Sequence, residues 1–131
     1  MCIRDRPKGL SGNKIELPKV SVGATENIVM AASLASGETE ISNIAIEPEV
    51  IDLINCLNAM GAKIELGDNR SAVIQGVTTL NSSNYSIIPD RIEAVTYIIA
   101  GALAGDGLKI ENLNIEPVSY THLTLPTKRI V

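Results

Sequence analysis

"SLASGETEISNIAIEP", residues 33–48, returns as "ALAGDGLKIENLNIEP" at 102–117, and that recurrence decides how the 131-residue chain is built. A shift of 69 residues lays Leu34 on Leu103, Ile41 on Ile110 and Asn43 on Asn112. It also lays Ile46-Glu47-Pro48 on Ile115-Glu116-Pro117. Self-similarity at a fixed period marks one supersecondary unit used more than once. The same shift sets Ser21 on Asp90 and Val22 on Arg91, so "VSVGAT" and "PDRIEA" stand at equivalent helix starts. The second copy ends where its second helix is due, and a repeat cut in mid-copy is expected of a fragment.

Outward from the repeat, the punctuation is regular. "NKIEL" (13–17) reads as a short strand. "TENIVMAASLAS" (25–36) is alanine-rich with apolar residues at helical spacing, and Gly37 follows as its stop. "TEISNI" (39–44) alternates as a strand does. "EPEVIDLINCLNAMGAKIEL" (47–66) opens with Pro48 in a helix's first turn and runs Val50, Ile51, Leu53, Ile54, Leu57 and Met60 along one stripe. It stops at Gly61 and passes into a strand. "SAVIQGV" (71–77) pairs back across "GDNR" as a hairpin. The predicted order is βαβαββ, an α/β (α+β) class.

Composition bounds the function. The chain is 45% hydrophobic and 20% charged, enough for one globular core. No apolar run approaches the roughly 20 residues of a membrane span, and no signal peptide opens the chain, so a cytoplasmic location is expected. A net charge of −4, with no Trp or Phe, argues against a nucleic-acid surface. Cys2 and Cys56 are too few and too far apart for a disulfide framework or a metal site. No metal and no cofactor is expected. "MCIRDR" (1–6) and "VSYTHLTLPTKRIV" (118–131) lack the periodicity of the middle and resemble translated sequencing-adapter reads; both are set aside as non-native tails. Setting them aside removes four of the 11 basic and one of the 15 acidic residues and leaves a net charge of −7. It also removes His122, the only histidine, from consideration as a catalyst.

The one local basic corner is "KVSVGATEN" (19–27). A helix start offers unpaired N–H groups and the positive end of its dipole. Ser21 adds a hydroxyl, Gly23 lets the backbone approach a ligand closely, and Lys19 brings a full charge, so the corner can seat a phosphate. Taken alone, a serine and a glycine before a helix also describe a plain cap.

The stretch "LPKVSVGATENIVMAASLASGETEISNIAIEPEVIDLINCLNAMGAKIE", followed by "IIPDRIEAVTYIIAGALAGDG", strongly resembles the bacterial UDP-N-acetylglucosamine 1-carboxyvinyltransferases. The resemblance covers essentially all of 7–117. It implies an inside-out α/β barrel of two domains, each made of three βαβαββ units with sheets outward and helices inward. It further implies a cleft site where the enolpyruvyl group of phosphoenolpyruvate moves to the 3-hydroxyl of UDP-N-acetylglucosamine in peptidoglycan synthesis. On that pattern, 7–88 is the last unit of one domain and 89–117 begins a unit of the other. Lys19, Val20, Ser21, Val22 and Gly23 would line the nucleotide-sugar site, with Glu47, Asp90 and Arg91 as candidate cleft residues.

Each of those last three also has a structural reading. Glu47 and Glu49 flank Pro48 where the dipole favours carboxylates, Asp90 suits an N-cap, and Arg91 can pair with Glu93. The resemblance implies a loop cysteine in the earlier domain, together with phosphoenolpyruvate-gripping cations and an aspartate base. None of these falls in the chain, so no catalytic residue is assigned and the fragment alone is expected to be inactive. Cys56 does not stand in for the loop cysteine, because it lies mid-helix beside the apolar stripe with no cation to activate it. The sister enzyme, 5-enolpyruvylshikimate-3-phosphate synthase, and a non-enzymatic module binding a nucleotide or a partner protein are the alternatives. Helix faces at Val29, Ala32, Ile98 and Ile99 are expected to lie exposed and to drive association.

Overall fold

The computed structural model describes residues 9–104 and 109–111, which fall into two compact units divided between Ile87 and Ile88. Both segments set aside as tails, the histidine and the end of the second repeat lie outside the described residues.

The first unit follows the order read from the sequence: β1 (Lys14–Glu16), α1 (Val22–Ser33), β2 (Glu38–Ser42), α2 (Pro48–Ala59), β3 (Lys63–Gly67) and β4 (Ser71–Gln75). Its four-stranded sheet runs β1-β2-β4-β3, with β1 parallel to β2 and β4 antiparallel to both neighbours. Strand alternation turns Thr39, Ile41, Ile64, Ala72 and Ile74 inward, while Glu38, Ser42, Lys63, Glu65 and Val73 stay exposed. The buried face meets Val29 and Ala32 of α1 and Val50, Ile54 and Leu57 of α2. Ile41, Ile44, Ile74, Val29 and Val50 are almost wholly buried, each stabilising the unit by about 1.5–3 kcal/mol.

The helix ends show why these boundaries hold. Pro48 occupies the first turn of α2, where its missing N–H costs nothing. At the other end Gly61, with φ +98°, donates to Asn58 O at 3.0 Å, and Ala62 N donates to Leu57 O at 3.0 Å. Those two bonds form the left-handed cap that glycine favours, and buried Leu57 and Ala62 close it. Gly37 behaves differently from expectation. Helix α1 ends at Ser33 with Leu34 as its cap, and Gly37, with φ +91°, instead turns the chain into β2. There its carbonyl accepts from Gly76 N at 2.9 Å. A side chain at Gly76 would meet Ala35 O at 1.6 Å, so the backbones touch.

Past β4, Val77 N donates to Ser33 O (2.9 Å), Asn81 N donates to Met60 O (2.8 Å), and the Tyr85 hydroxyl donates to Asp52 Oδ1 (2.8 Å). The connecting segment thus runs back along α2 from its last turn toward its first. The second unit holds α3 (Arg91–Ala104), capped by Asp90, whose Oδ1 accepts from Ile92 N (2.8 Å) and Glu93 N (3.1 Å).

The expected apolar surface is corrected on α1. Val29 and Ala32 are buried under the sheet, and Met30 and Leu34 are the exposed apolar residues. On α3, Ile99 is exposed as expected and Ile98 is half-buried, while Ile92, Tyr97 and Leu103 are also exposed.

Candidate functional site

Because β1 and β2 are adjacent and parallel, the chain leaves both at one edge of the sheet, and α1 and α2 each begin there. The end of the β3–β4 hairpin reaches the same edge, since Ser71 pairs with Ser42. In α/β sheets, ligands gather at the carboxyl ends of parallel strands. Side chains and backbone stitch the three loops there. Asn43 Nδ2 donates to Leu17 O (2.8 Å), Ile44 N to Arg70 O (3.0 Å), and Ala45 N to Thr25 Oγ1 (3.0 Å). Thr25, fully buried, also donates its hydroxyl to Ser21 O at 2.8 Å, so it fixes the mouth of α1 to the loop that leads into α2.

At that mouth Ser21 is the N-cap, in extended backbone, accepting from Ala24 N at 3.4 Å. Lys19 is exposed and forms no ion pair among the described residues; Val20 is exposed and Val22 half-buried against the core. Gly23 is exposed with open space where a side chain would stand. The Val22 and Gly23 amides, in the first turn, have no intrahelical acceptor. Two first-turn N–H groups, the Ser21 hydroxyl and, two residues before it, an exposed lysine thus stand together at one helix start, a set of donors suited to an oxyanion.

Glu47 stands at the neighbouring mouth. It is the N-cap residue of α2 yet makes no side-chain capping bond, and its Oε2 is buried without a hydrogen-bond partner. Structure thus gathers Lys19 to Gly23 and Glu47 on one edge of the first unit. Asp90 and Arg91 belong to the second unit, as the exposed cap and the half-buried first residue of α3. Cys56 is a half-buried free thiol within α2. Among the described residues no cluster of His, Cys, Asp and Glu could hold a metal ion, and no helix is long and apolar enough to cross a membrane. Thr25, Asn43 and Arg70, which build the edge, were not singled out by the sequence reading. Asn in a positive-φ turn is a recognisable signal, but each of the three makes the bond that ties the loops together to a residue 20 or more positions away.

Comparison with known proteins decides the family. The sequence model of the EPSP synthase (3-phosphoshikimate 1-carboxyvinyltransferase) family matches residues 1–127. The chain belongs to this family. That match also runs across 1–6 and most of 118–131, the segments expected to be foreign. A UDP-N-acetylglucosamine 1-carboxyvinyltransferase of Pelagibacter ubique is 52% identical over 113 residues, 86% of this chain and 27% of that protein. One from Rhizobium leguminosarum is 51% identical over 107 residues, 82% of this chain and 25% of that protein. The chain spans about a quarter of the length of the curated relatives it matches. Among solved structures, the enolpyruvyl transferase NikO from Streptomyces tendae is 31% identical over 64% of this chain and 20% of its own, with a TM-score of 0.58. An EPSP synthase from Acinetobacter baumannii has a TM-score of 0.60 over 83% of this chain and 24% of its own; at 22% identity it supports the fold alone. The βαβαββ unit is therefore a piece of the enolpyruvyl transferase fold.

Proposed function

We propose that the chain is a segment of an enzyme that transfers the enolpyruvyl group of phosphoenolpyruvate to the 3-hydroxyl of UDP-N-acetylglucosamine. That reaction releases phosphate and serves peptidoglycan and cell-wall synthesis in the cytoplasm of growing, dividing cells. The observation that carries this reading is the relatives' shared name at about half identity, set against 22% to a shikimate-type enzyme. In this reading the mouth of α1 seats the diphosphate. The Val22 and Gly23 amides and the Ser21 hydroxyl donate to it, Val20 flanks it, and Lys19 supplies the charge. Glu47, Asp90 and Arg91 face the cleft, the first unit belongs to the nucleotide-sugar domain and the second to the other. The cysteine, cations and base of the chemical step lie elsewhere in the whole enzyme, so the 131-residue chain alone transfers no enolpyruvyl group. Release of phosphate that depends on both substrates would contradict that.

Lys19→Ala in the whole enzyme tests the seat. Losing a charge-assisted contact of about 1.5–3 kcal/mol weakens the nucleotide sugar about tenfold to a hundredfold. Saturation curves for phosphoenolpyruvate and the melting temperature stay as they were. Equal weakening of both substrates, or of neither, would reduce this corner to a helix start.

A further inference from the structure

Asp52 is a buried carboxylate on the unexpected side of its helix. Val50, Ile54 and Leu57 form the stripe of α2 that packs into the core, and at about 100° per residue Asp52 falls on the opposite side. It is nevertheless only 9% exposed, and the Tyr85 hydroxyl donates to its Oδ1 at 2.8 Å. Burying a carboxylate is costly unless hydrogen bonds answer it. Tyr85 is as singular in its own segment. From Asn81 to Asp90 no residue is in a helix or strand and every other one is exposed, whereas Tyr85 is drawn in. The backbone bond that precedes it, Asn81 N to Met60 O, lies at the far end of α2.

We infer that Tyr85 and Asp52 are a latch that fixes where the chain leaves the first unit, and through it a positioning pair for the reaction of the whole enzyme. Without that bond, the stretch from Asn81 to Ile87, the last residue of the unit, is a mostly polar, exposed tether that reaches up to about 20 Å. With it, the exit is held beside the first half of α2. The positioning role rests on the nucleotide-sugar reading, in which the two units belong to the two domains of one enzyme. Groups from both domains then have to meet one substrate, and a misplacement of about 1 Å can cost a hundredfold in rate. Tyr85 and Asp52 act on that geometry only through the segment they hold.

Two measurements test it. In the 131-residue chain, NMR relaxation should show the backbone amides from Ser82 to Ile87 as ordered as those of α2, and Tyr85→Phe should set them in fast internal motion while β1–β4 and α1 keep their order. Asp52→Leu, of similar volume and without an acceptor, should free the same amides; should it unfold, Tyr85→Phe carries the comparison. In the whole enzyme, Tyr85→Phe should lower kcat about tenfold and leave KM for UDP-N-acetylglucosamine within about twofold, because the seat at α1 is untouched. Amides that are equally ordered with and without the hydroxyl, that are already mobile in the parent chain, or whose loosening spreads through the sheet would overturn the latch. Loosened amides with an unchanged kcat would overturn the positioning role. A whole enzyme that does not turn over the nucleotide sugar would overturn that reading and the positioning role with it, while the latch stands or falls by the amides alone.

Discussion

The mouths of α1 and α3 occupy the same place in the repeat and are closed by opposite chemistry. At α1, neutral Ser21 accepts one long bond of 3.4 Å from Ala24 N, and the Val22 and Gly23 amides of the first turn have no intrahelical acceptor. At α3, the carboxylate of Asp90 takes both the Ile92 and Glu93 amides, at 2.8 and 3.1 Å, and puts a negative charge on the positive end of the dipole. One mouth can receive an anion, whereas the other already holds one. A repeated unit thus preserves the scaffold while a single cap residue decides whether the helix start already carries a negative charge.

Converting one mouth into the other is the strongest test of that difference. Ser21→Asp should abolish nucleotide-sugar binding by about a hundredfold or more, since a contact of about 1.5–3 kcal/mol is replaced by repulsion. Thermal stability should hold or rise, because aspartate caps as well as serine and favours the dipole. Falling stability with unchanged binding would break the comparison. Next in size is the staple beneath the open mouth. Thr25→Val leaves buried Ala45 N–H unpaired and should cost about 1–3 kcal/mol in chemical denaturation; a change under a few tenths would mean that the two loops are not held through it.

Much of this was legible in the sequence, for physical reasons that stop at definite residues. Pro48 and Gly61 announced the ends of α2 because their backbone constraints are local, and alternation in 39–44 and 71–77 exposed the inward face of each strand. The 69-residue shift gave the paired helix starts, since Ser21 and Asp90 are both caps. Gly37 misled, because a glycine with positive φ serves a strand entry as readily as a helix end. Placing β4 between β2 and β3, the Thr25 staple and the Tyr85–Asp52 bond depend on contacts made by residues far apart in the chain, which no local period encodes.

On the closed mouth, Asp90→Ala should lower α3 stability by about 1 kcal/mol, read as lost helicity. Helicity unchanged within a few tenths of a kcal/mol would mean that the carboxylate does not cap this helix. The smallest effect concerns the segment that joins the units. Tyr85, hydrogen-bonded to the Asp52 carboxylate, has its pKa raised above the ordinary 10.0, chiefly by that bond. A raised folded-state value means the stabilisation is present below about pH 10 and fades as pH climbs through the folded pKa. Tyr85→Phe should therefore remove a slight alkaline decline in melting temperature; an unchanged alkaline slope would deny the bond.

The most direct measurement follows backbone amides by NMR as UDP-N-acetylglucosamine is added to the 131-residue chain. With the diphosphate at the open mouth, the Val22, Gly23 and Ala24 resonances move with saturation, while Ile92 and Glu93, already bonded to Asp90, stay in place. Shifts at Ile92 and Glu93 with none at Val22 and Gly23, or no saturable shifts at either mouth, would contradict the account.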